Sequence, residues 1–375
     1  MKQRTEHKIY SGLGRLTLVA VFLIGILYLF PESVLIKLVH SDCQLCTASG
    51  IDVKENTIKF KAFLNGIKEN DGVLIIGTSE TAAFKEANYR TLLNRYFSTK
   101  KKFSYLAGAG RVDYIYFPTF LNNRSEVENL EVLYFINPTY WRAGLNEFSP
   151  EYYERYNSQS EVERVKPELE KRGIYSGFVP SQIDSSKLSD FEFSVATAIK
   201  RLRLFYLPFF QWVHSHTASD LIPSESTLCT ESFEGKFTDT TWYDALKLEV
   251  DTITNSTDKY GFKADNEFYS IDTGDFQYRA LIGFISLCRD MNVRLTCLIG
   301  PYNNIYCKRT NPEYIGDYEE MIRKIGDLLE REKVDYIDAR DISYMQYSFN
   351  DKQHHSKYAA WLLAERIANY YEKNR

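Results

Sequence analysis

Apolar and polar positions alternate along this chain in blocks of two kinds. Short, nearly continuous apolar runs read as strands buried on both faces of a sheet, and longer stretches with apolar positions three and four apart read as helices covering it. The runs GVLIIG (72–77), KFSYLAGAG (102–110), NLEVLYFINP (129–138), VRLTCLIGP (293–301) and VDYID (334–338) give five strands. Helical spacing appears in 80–97, in 111–123 with Pro118 weakening its end, and in 280–291, 313–332 and 356–372. Within 313–332, Tyr318, Met321, Ile322, Ile325, Leu328 and Leu329 mark one helix face. Strands separated by helices predict an α/β fold: one parallel five-stranded sheet, helices on both faces and right-handed crossovers. From about residue 148 to 275 the alternation gives way to long charged and aromatic helical stretches, an insertion between the third and fourth strands. Its segment RLRLFYLPFFQWVHSH (201–216) holds five aromatics from Phe205 to Trp212, broken by Pro208. That segment reads either as a surface docking a membrane or membrane partner, or as the core of the insertion.

The N-terminal pattern differs. Lys2, Arg4, Lys8 and Arg15 precede LTLVAVFLIGILYLFP, which runs from Leu16 to Pro31 without a charge. This run is shorter than the roughly 20 apolar residues that cross a bilayer. Snorkelling Lys and Arg, and the apolar SVLIKLV beyond Glu32, extend its reach. A signal peptide is the competing reading, but no small-x-small cleavage pattern follows, and VHSDC is a poor lipoprotein signal. The expectation is a cytoplasmic N-terminus and uncleaved transmembrane anchor over 1–40, a linker over 41–57, and a domain over 58–375. Positive charges ahead of the apolar run predict that this domain lies outside the cytoplasm.

Composition narrows the classes without choosing among them. With 375 residues, 44% of them apolar and 26% charged, the chain can bury one large core with a sizeable insertion. A net charge of −4 gives no footprint for nucleic acid. The 28 Tyr and 24 Phe fit a surface facing carbohydrate or lipid headgroups. Of the six cysteines, Cys43 and Cys46 have CxxC spacing without a second Cys/His pair, so a local disulfide is expected there. Cys297, inside an apolar strand, is expected to be a buried thiol. His214 and His216 lack an accompanying acidic or cysteine cluster, so no metal is expected, and no phosphate-cofactor fingerprint is present. The chain is expected to need no cofactor.

Two segments carry candidate chemistry. In VLIIGTSETAAF (73–84) an apolar strand stops at Gly77 and turns into helix-forming residues. Gly77 permits a tight turn, which would hold the Ser79 hydroxyl at the carboxyl end of a strand, against the N–H groups of the next helix. A plain helix cap is the simpler reading of Thr78 to Glu80. In FNDKQHHSKYAAW (349–361), Asp351 and His354 stand just before the last helix. As a triad with Ser79, His354 would take the serine proton and Asp351 would hold the imidazole in the right tautomer. The simpler reading is a surface loop with a helix cap.

A Gly-x-Ser turn after the first strand, with Asp-x-x-His before the final helix, resembles the SGNH (GDSL-type) hydrolase superfamily. Within it the chain is most similar to the DltD family of D-alanyl transfer proteins, from Gly77-Thr78-Ser79-Glu80 to Asp351-x-x-His354. FINPTYWRAGLNEFSPEYYERY (135–156) resembles that family's Ser-Pro-x-Trp-Phe segment, and LIGPYNNIYC (298–307) its Pro-x-Asn segment. The resemblance implies an SGNH or flavodoxin-like sheet, with Ser79 as nucleophile, His354 as base and Asp351 as orienting acid. It implies an oxyanion hole from the Ser79 N–H and a glycine after the second strand, Gly108 or Gly110, with Asn137 as a further donor. Asn137 lacks the usual Gly-x-Asn-Asp surroundings, Thr78 replaces a Ser, and Ala359 stands where a glycine usually follows. Spacing selects His354 over His355, which is expected to face solvent or to support the site.

The implied function is a membrane-anchored serine O-acyltransferase moving D-alanyl or acetyl groups onto a cell-envelope polymer such as teichoic acid. A membrane-bound O-acyltransferase of the DltB kind would be its partner. Esterase or thioesterase action by the same triad is the alternative. A non-catalytic partner docking a membrane acyltransferase through 201–216 is another.

Overall fold

The computed structural model describes residues 57–77, 81, 89–97, 99–107, 116–136, 276–310, 312–346, 348–349 and 354–373. It also describes residues 14–19, 21, 22, 25, 167–168 and 170–172. The chain enters through helix α1 (Thr57–Glu69) into β1 (Gly72–Gly77), then α2 (Tyr89–Tyr96) and β2 (Lys102–Ala107). Helices α3 (Tyr116–Asn122) and α4 (Arg124–Val127) lead to β3 (Glu131–Ile136). After the insertion come α5 (Phe276–Asp290), β4 (Arg294–Ile299), α6 (Asn304–Thr310), α7 (Tyr314–Arg331) and β5 (Asp335–Asp338). A 3₁₀ turn (Arg340–Tyr344) precedes the closing helix α8 (Lys357–Lys373).

All five strands pair in parallel, in the order β2-β1-β3-β4-β5. The predicted five-stranded α/β sheet is therefore present, and its order is that of a doubly wound sheet reversing at β1. The strands read as unbroken apolar runs because both faces are covered. Leu74 and Ile76 of β1 face a core shared with α1, α3, α5 and α7, while Val73 and Ile75 face one shared with α2 and α8. All six residues of β1 are buried. The predicted face of 313–332 is equally clear, with Tyr318, Met321, Ile322, Ile325, Leu328 and Leu329 all inside.

Several boundaries differ from the sequence reading. Helix α1 was not anticipated, although Phe60, Phe63, Leu64 and Ile67 sit at helical spacing and are all buried. Of the helix expected over 111–123, Tyr116–Asn122 is described as α3, and it contains Pro118. Of the helix expected over 80–97, Tyr89–Tyr96 is described. The short α6 and the 3₁₀ turn were also not foreseen.

The two edges of the sheet are tied differently. At the amino edge Glu131 forms ion pairs with Lys101 at 2.9 Å and with Arg294 at 3.0 Å, so charge links the approach to β2 with the starts of β3 and β4. At the carboxyl edge tyrosine hydroxyls do this work, as set out below.

Cys288, Cys297 and Cys307 are buried thiols, as expected for Cys297. Burial pushes the Cys288 thiol up from its usual range, which leaves it inert. Cys43, Cys46 and Cys229 lie outside the described residues, as do the linker, the 201–216 segment and nearly all of the insertion. At the N-terminus, residues 14–19, 21, 22 and 25 are helical, and Leu16, Leu18, Val19, Val21 and Phe22 are exposed. Among the described residues no helix is long and apolar enough to cross a membrane, and most of the 16–31 run lies outside them.

Candidate active site

The strand order reverses at β1, and in sheets of this kind ligands bind outside the carboxyl ends at that point. β1 ends there on Gly77. Its N–H donates to the Tyr116 hydroxyl at 3.3 Å, and that hydroxyl in turn contacts the Gly77 and Leu106 carbonyls, the latter at 3.1 Å. One buried phenol thus fastens the ends of β1 and β2 together. Four residues after Gly77, Thr81 is fully buried and donates its hydroxyl to Tyr105 of β2 at 3.1 Å. Gly77 must be glycine for lack of room. A Cβ there would overlap the Thr81 methyl and come within 3.0 Å of Phe135 Cβ.

Tyr116→Phe tests the fastening without opening a cavity. It leaves the Gly77 N–H and two buried carbonyls short of a partner, a loss of about 1–3 kcal/mol. Urea unfolding should show a lower midpoint with an unchanged slope. An unchanged midpoint would mean that the hydroxyl does not brace the edge.

β3 and β4 are braced in the same manner. The Tyr302 hydroxyl donates to the Ile136 carbonyl at the end of β3, and the Tyr302 N–H donates to Ser343 Oγ at 3.0 Å. Ser343 Oγ also meets the Tyr318 hydroxyl at 3.1 Å, and burial raises the Tyr318 pKa, so this group remains a phenol. Gly300 turns the chain out of β4 with φ +74°, a region that favours glycine.

The candidate base lies on a loop pinched at its root. Phe349 and His355 form an isolated antiparallel bridge, and the Ser356 N–H donates to the Ser348 carbonyl at 2.9 Å, so the segments ending at Phe349 and beginning at His354 are held together. Ser356 then caps α8: its Oγ accepts the Ala359 N–H at 3.2 Å, the usual partner three residues on.

His355 is buried, only 2% exposed, which removes the solvent-facing option. Its Nδ1 lies 2.9 Å from the Tyr89 hydroxyl and its Nε2 lies 3.4 Å from the Pro301 carbonyl. Burial pushes Tyr89 well above the usual tyrosine range, so it stays protonated and can donate. A carbonyl can only accept, so in the neutral tautomer that satisfies both contacts the proton is on Nε2 and Tyr89 donates to Nδ1. Both nitrogens are thereby occupied, and neither is left to take a proton from a serine. His354, half-buried, is the other member of the pair.

A continuous set of contacts joins this loop to the switch point. Gly77 lies against Phe135, the Phe135 and Tyr89 rings are 4.9 Å apart, and Tyr89 bonds to His355. Ser79, Gly108, Gly110, Asn137 and Asp351 lie outside the described residues. Each follows a described anchor closely in sequence: Gly77, Ala107, Ile136 and Phe349 respectively, with Gly108 and Gly110 sharing Ala107.

Sequence reasoning missed Tyr89, Tyr116, Tyr302 and the inward role of His355. For His355 a signal existed, because the residue before an N-cap serine commonly packs inward. Among the described residues no group of His, Cys, Asp and Glu could hold a metal ion. His214 and His216 lie outside them. Clefts of about 410 and 540 Å³ occur beside Arg294 and Tyr371 and beside Arg366 and Met345, and neither is lined by the Gly77–His355 cluster. No protein-family model matches the chain, and no curated protein matches it.

Proposed function

We propose that this protein is a serine enzyme of acyl transfer, built on a doubly wound sheet with its nucleophile in the turn after β1. In particular, it acts as a membrane-anchored, extracytoplasmic O-acyltransferase of the SGNH type, DltD-like, placing D-alanyl or acetyl groups on a hydroxyl of a cell-envelope polymer. The single observation that supports this reading is the contact path Gly77–Phe135–Tyr89–His355. It joins Gly77, two residues before Ser79, to His355, the neighbour of His354, although Ser79 and His354 stand 275 positions apart in sequence. Covalent geometry keeps Ser79 within two Cα steps of Gly77, each about 3.8 Å.

In the first half-reaction the Ser79 oxygen attacks the carbonyl carbon of an acyl donor, and His354 takes the serine proton, steadied by Asp351. The oxyanion is met by backbone N–H groups, of Ser79 and of Gly108 or Gly110, with the Asn137 side chain as a further donor. The donor's C–O or C–S bond breaks, the leaving group takes the proton back from His354, and acyl-Ser79 remains. In the second half-reaction a polymer hydroxyl gives its proton to His354 and attacks the acyl carbon, and as the acyl–serine bond breaks His354 returns that proton to the Ser79 oxygen. A membrane-bound O-acyltransferase supplies the acyl group from across the bilayer. The five exposed apolar residues between Leu16 and Phe22 support the anchor.

Intact-mass measurement of the full-length protein with p-nitrophenyl acetate tests the reading. Wild type should gain one acetyl and Ser79→Ala none. Faster loss of the adduct with added glycerol than with water alone marks a transferase, and equal loss marks an esterase. An adduct that persists in Ser79→Ala would refute the assignment.

A further inference from the structure

His355 makes no contact with nucleophile or acyl donor in the reaction above, yet every side of its ring is engaged. Tyr89 and Pro301 hold its nitrogens, and the Tyr89 and Phe349 rings meet it edge-on at 6.2 and 5.8 Å. Its backbone is bridged to Phe349, which makes it extended. Successive side chains of an extended backbone point to opposite faces. A buried His355 therefore turns its neighbour the other way, and His354 is accordingly half-buried where His355 is 2% exposed.

We propose that His355 is a positioning residue. Its imidazole, clamped between the Tyr89 hydroxyl on α2 and the Pro301 carbonyl after β4, fixes the direction in which His354 projects over the carboxyl edge. The inference rests on the acyl-serine reading and goes beyond it, because it assigns the two histidines separate tasks. Loop closure at the Phe349 bridge restrains the backbone, and the clamp prevents the strand from turning about its own axis. A base displaced by about 1 Å loses on the order of 10²-fold in rate.

The test uses the full-length protein and p-nitrophenyl acetate, read as the burst of p-nitrophenolate, with thermal unfolding of every variant alongside. His355→Phe keeps ring volume but removes both hydrogen bonds. Its acylation rate at saturating ester should fall about 10- to 100-fold, with KM within twofold of wild type. His355→Gln, whose amide N–H can still reach Pro301, should recover part of that loss.

The pH profile separates positioning from catalysis. His355→Phe should keep the acid limb of the rate profile at a lower plateau, whereas His354→Ala should lose the limb with the rate. Tyr89→Phe, which removes one oxygen, gives a second variant should His355→Phe fail to fold, and it should also slow acylation at unchanged KM. A wild-type rate in Tyr89→Phe or in folded His355→Phe overturns the inference while the acyl-serine reading stands. An acid limb lost in His355→Phe and kept in His354→Ala also overturns it, by making His355 the base. A wild-type protein without any burst overturns both.

Discussion

Replacing His354 with alanine is expected to slow acylation of Ser79 by about three to six orders of magnitude, the span recorded when the base of a serine triad is removed. The size of this effect follows from the geometry of the histidine pair. A serine hydroxyl is a weak nucleophile unless a neighbouring base takes its proton as the carbonyl is attacked. The contacts of His355 disfavour it for this task, since Nδ1 meets the Tyr89 hydroxyl and Nε2 faces the Pro301 carbonyl. His354, next to the Phe349–His355 bridge, is therefore the proposed base. Stability should change little, because His354 is half-buried at an edge and outside both hydrophobic cores. Burst kinetics and a thermal melt on the same preparation check both halves. A His354→Ala protein that acylates within tenfold of wild type would exclude His354 as the base.

The second large effect is expected at Gly77. The added methyl of Gly77→Ala would enter space held by the Thr81 methyl and crowd Phe135 Cβ, both parts of packed structure. Overpacking of this kind costs about 1–3 kcal/mol, and Gly77→Val should cost more because a β-branched side chain adds two methyls. The damage should reach beyond stability. Gly77 lies two residues before Ser79, and its N–H is bonded to the hydroxyl that joins β1 to β2. Relief of the overlap must come from movement of the turn, so acylation should fall more than the melt alone would suggest. Double substitution with Thr81→Ala, which removes the overlapped methyl, should recover part of the stability of Gly77→Ala. If the double variant is no more stable than Gly77→Ala, Thr81 is not what excludes a side chain at position 77.

The sheet was legible in the sequence because its strands are buried on both faces, and continuous apolar runs such as Val73 to Ile76 leave no room for alternation. Strand order was not legible from these runs, since every central strand of a parallel sheet carries the same signal. Helix α1 was written in the helical spacing of Phe60, Phe63, Leu64 and Ile67, just after the polar linker. The candidate nucleophile turn and the Asp-x-x-His segment were picked out by local spacing, and Ser79 and Asp351 lie outside the described residues.

The bracing of the edge could not be found in this way. Tyr116 meets Gly77 across 39 positions, Tyr302 meets Ile136 across 166, and Tyr89 meets His355 across 266. In two of these three contacts the partner is a main-chain group, which leaves no mark in the amino-acid letters. The abundance of aromatics takes on a second meaning accordingly. A surface for carbohydrate or lipid was expected from it, whereas Tyr89, Tyr116, Tyr134, Tyr302, Tyr318 and Tyr371 are inside the fold.

The long insertion has a consequence for how such a protein can diversify. The chain leaves the sheet at Ile136 and resumes at Phe276, yet β3 and β4 pair without a break from Glu131↔Arg294 to Ile136↔Ile299. The register is thus indifferent to what stands between them. Each doubling of a flexible connection adds only about 0.6 kcal/mol of closure entropy. Since β3 ends on the carboxyl edge, the intervening sequence begins beside the candidate site. Lineages could therefore exchange that span while inheriting the same sheet edge.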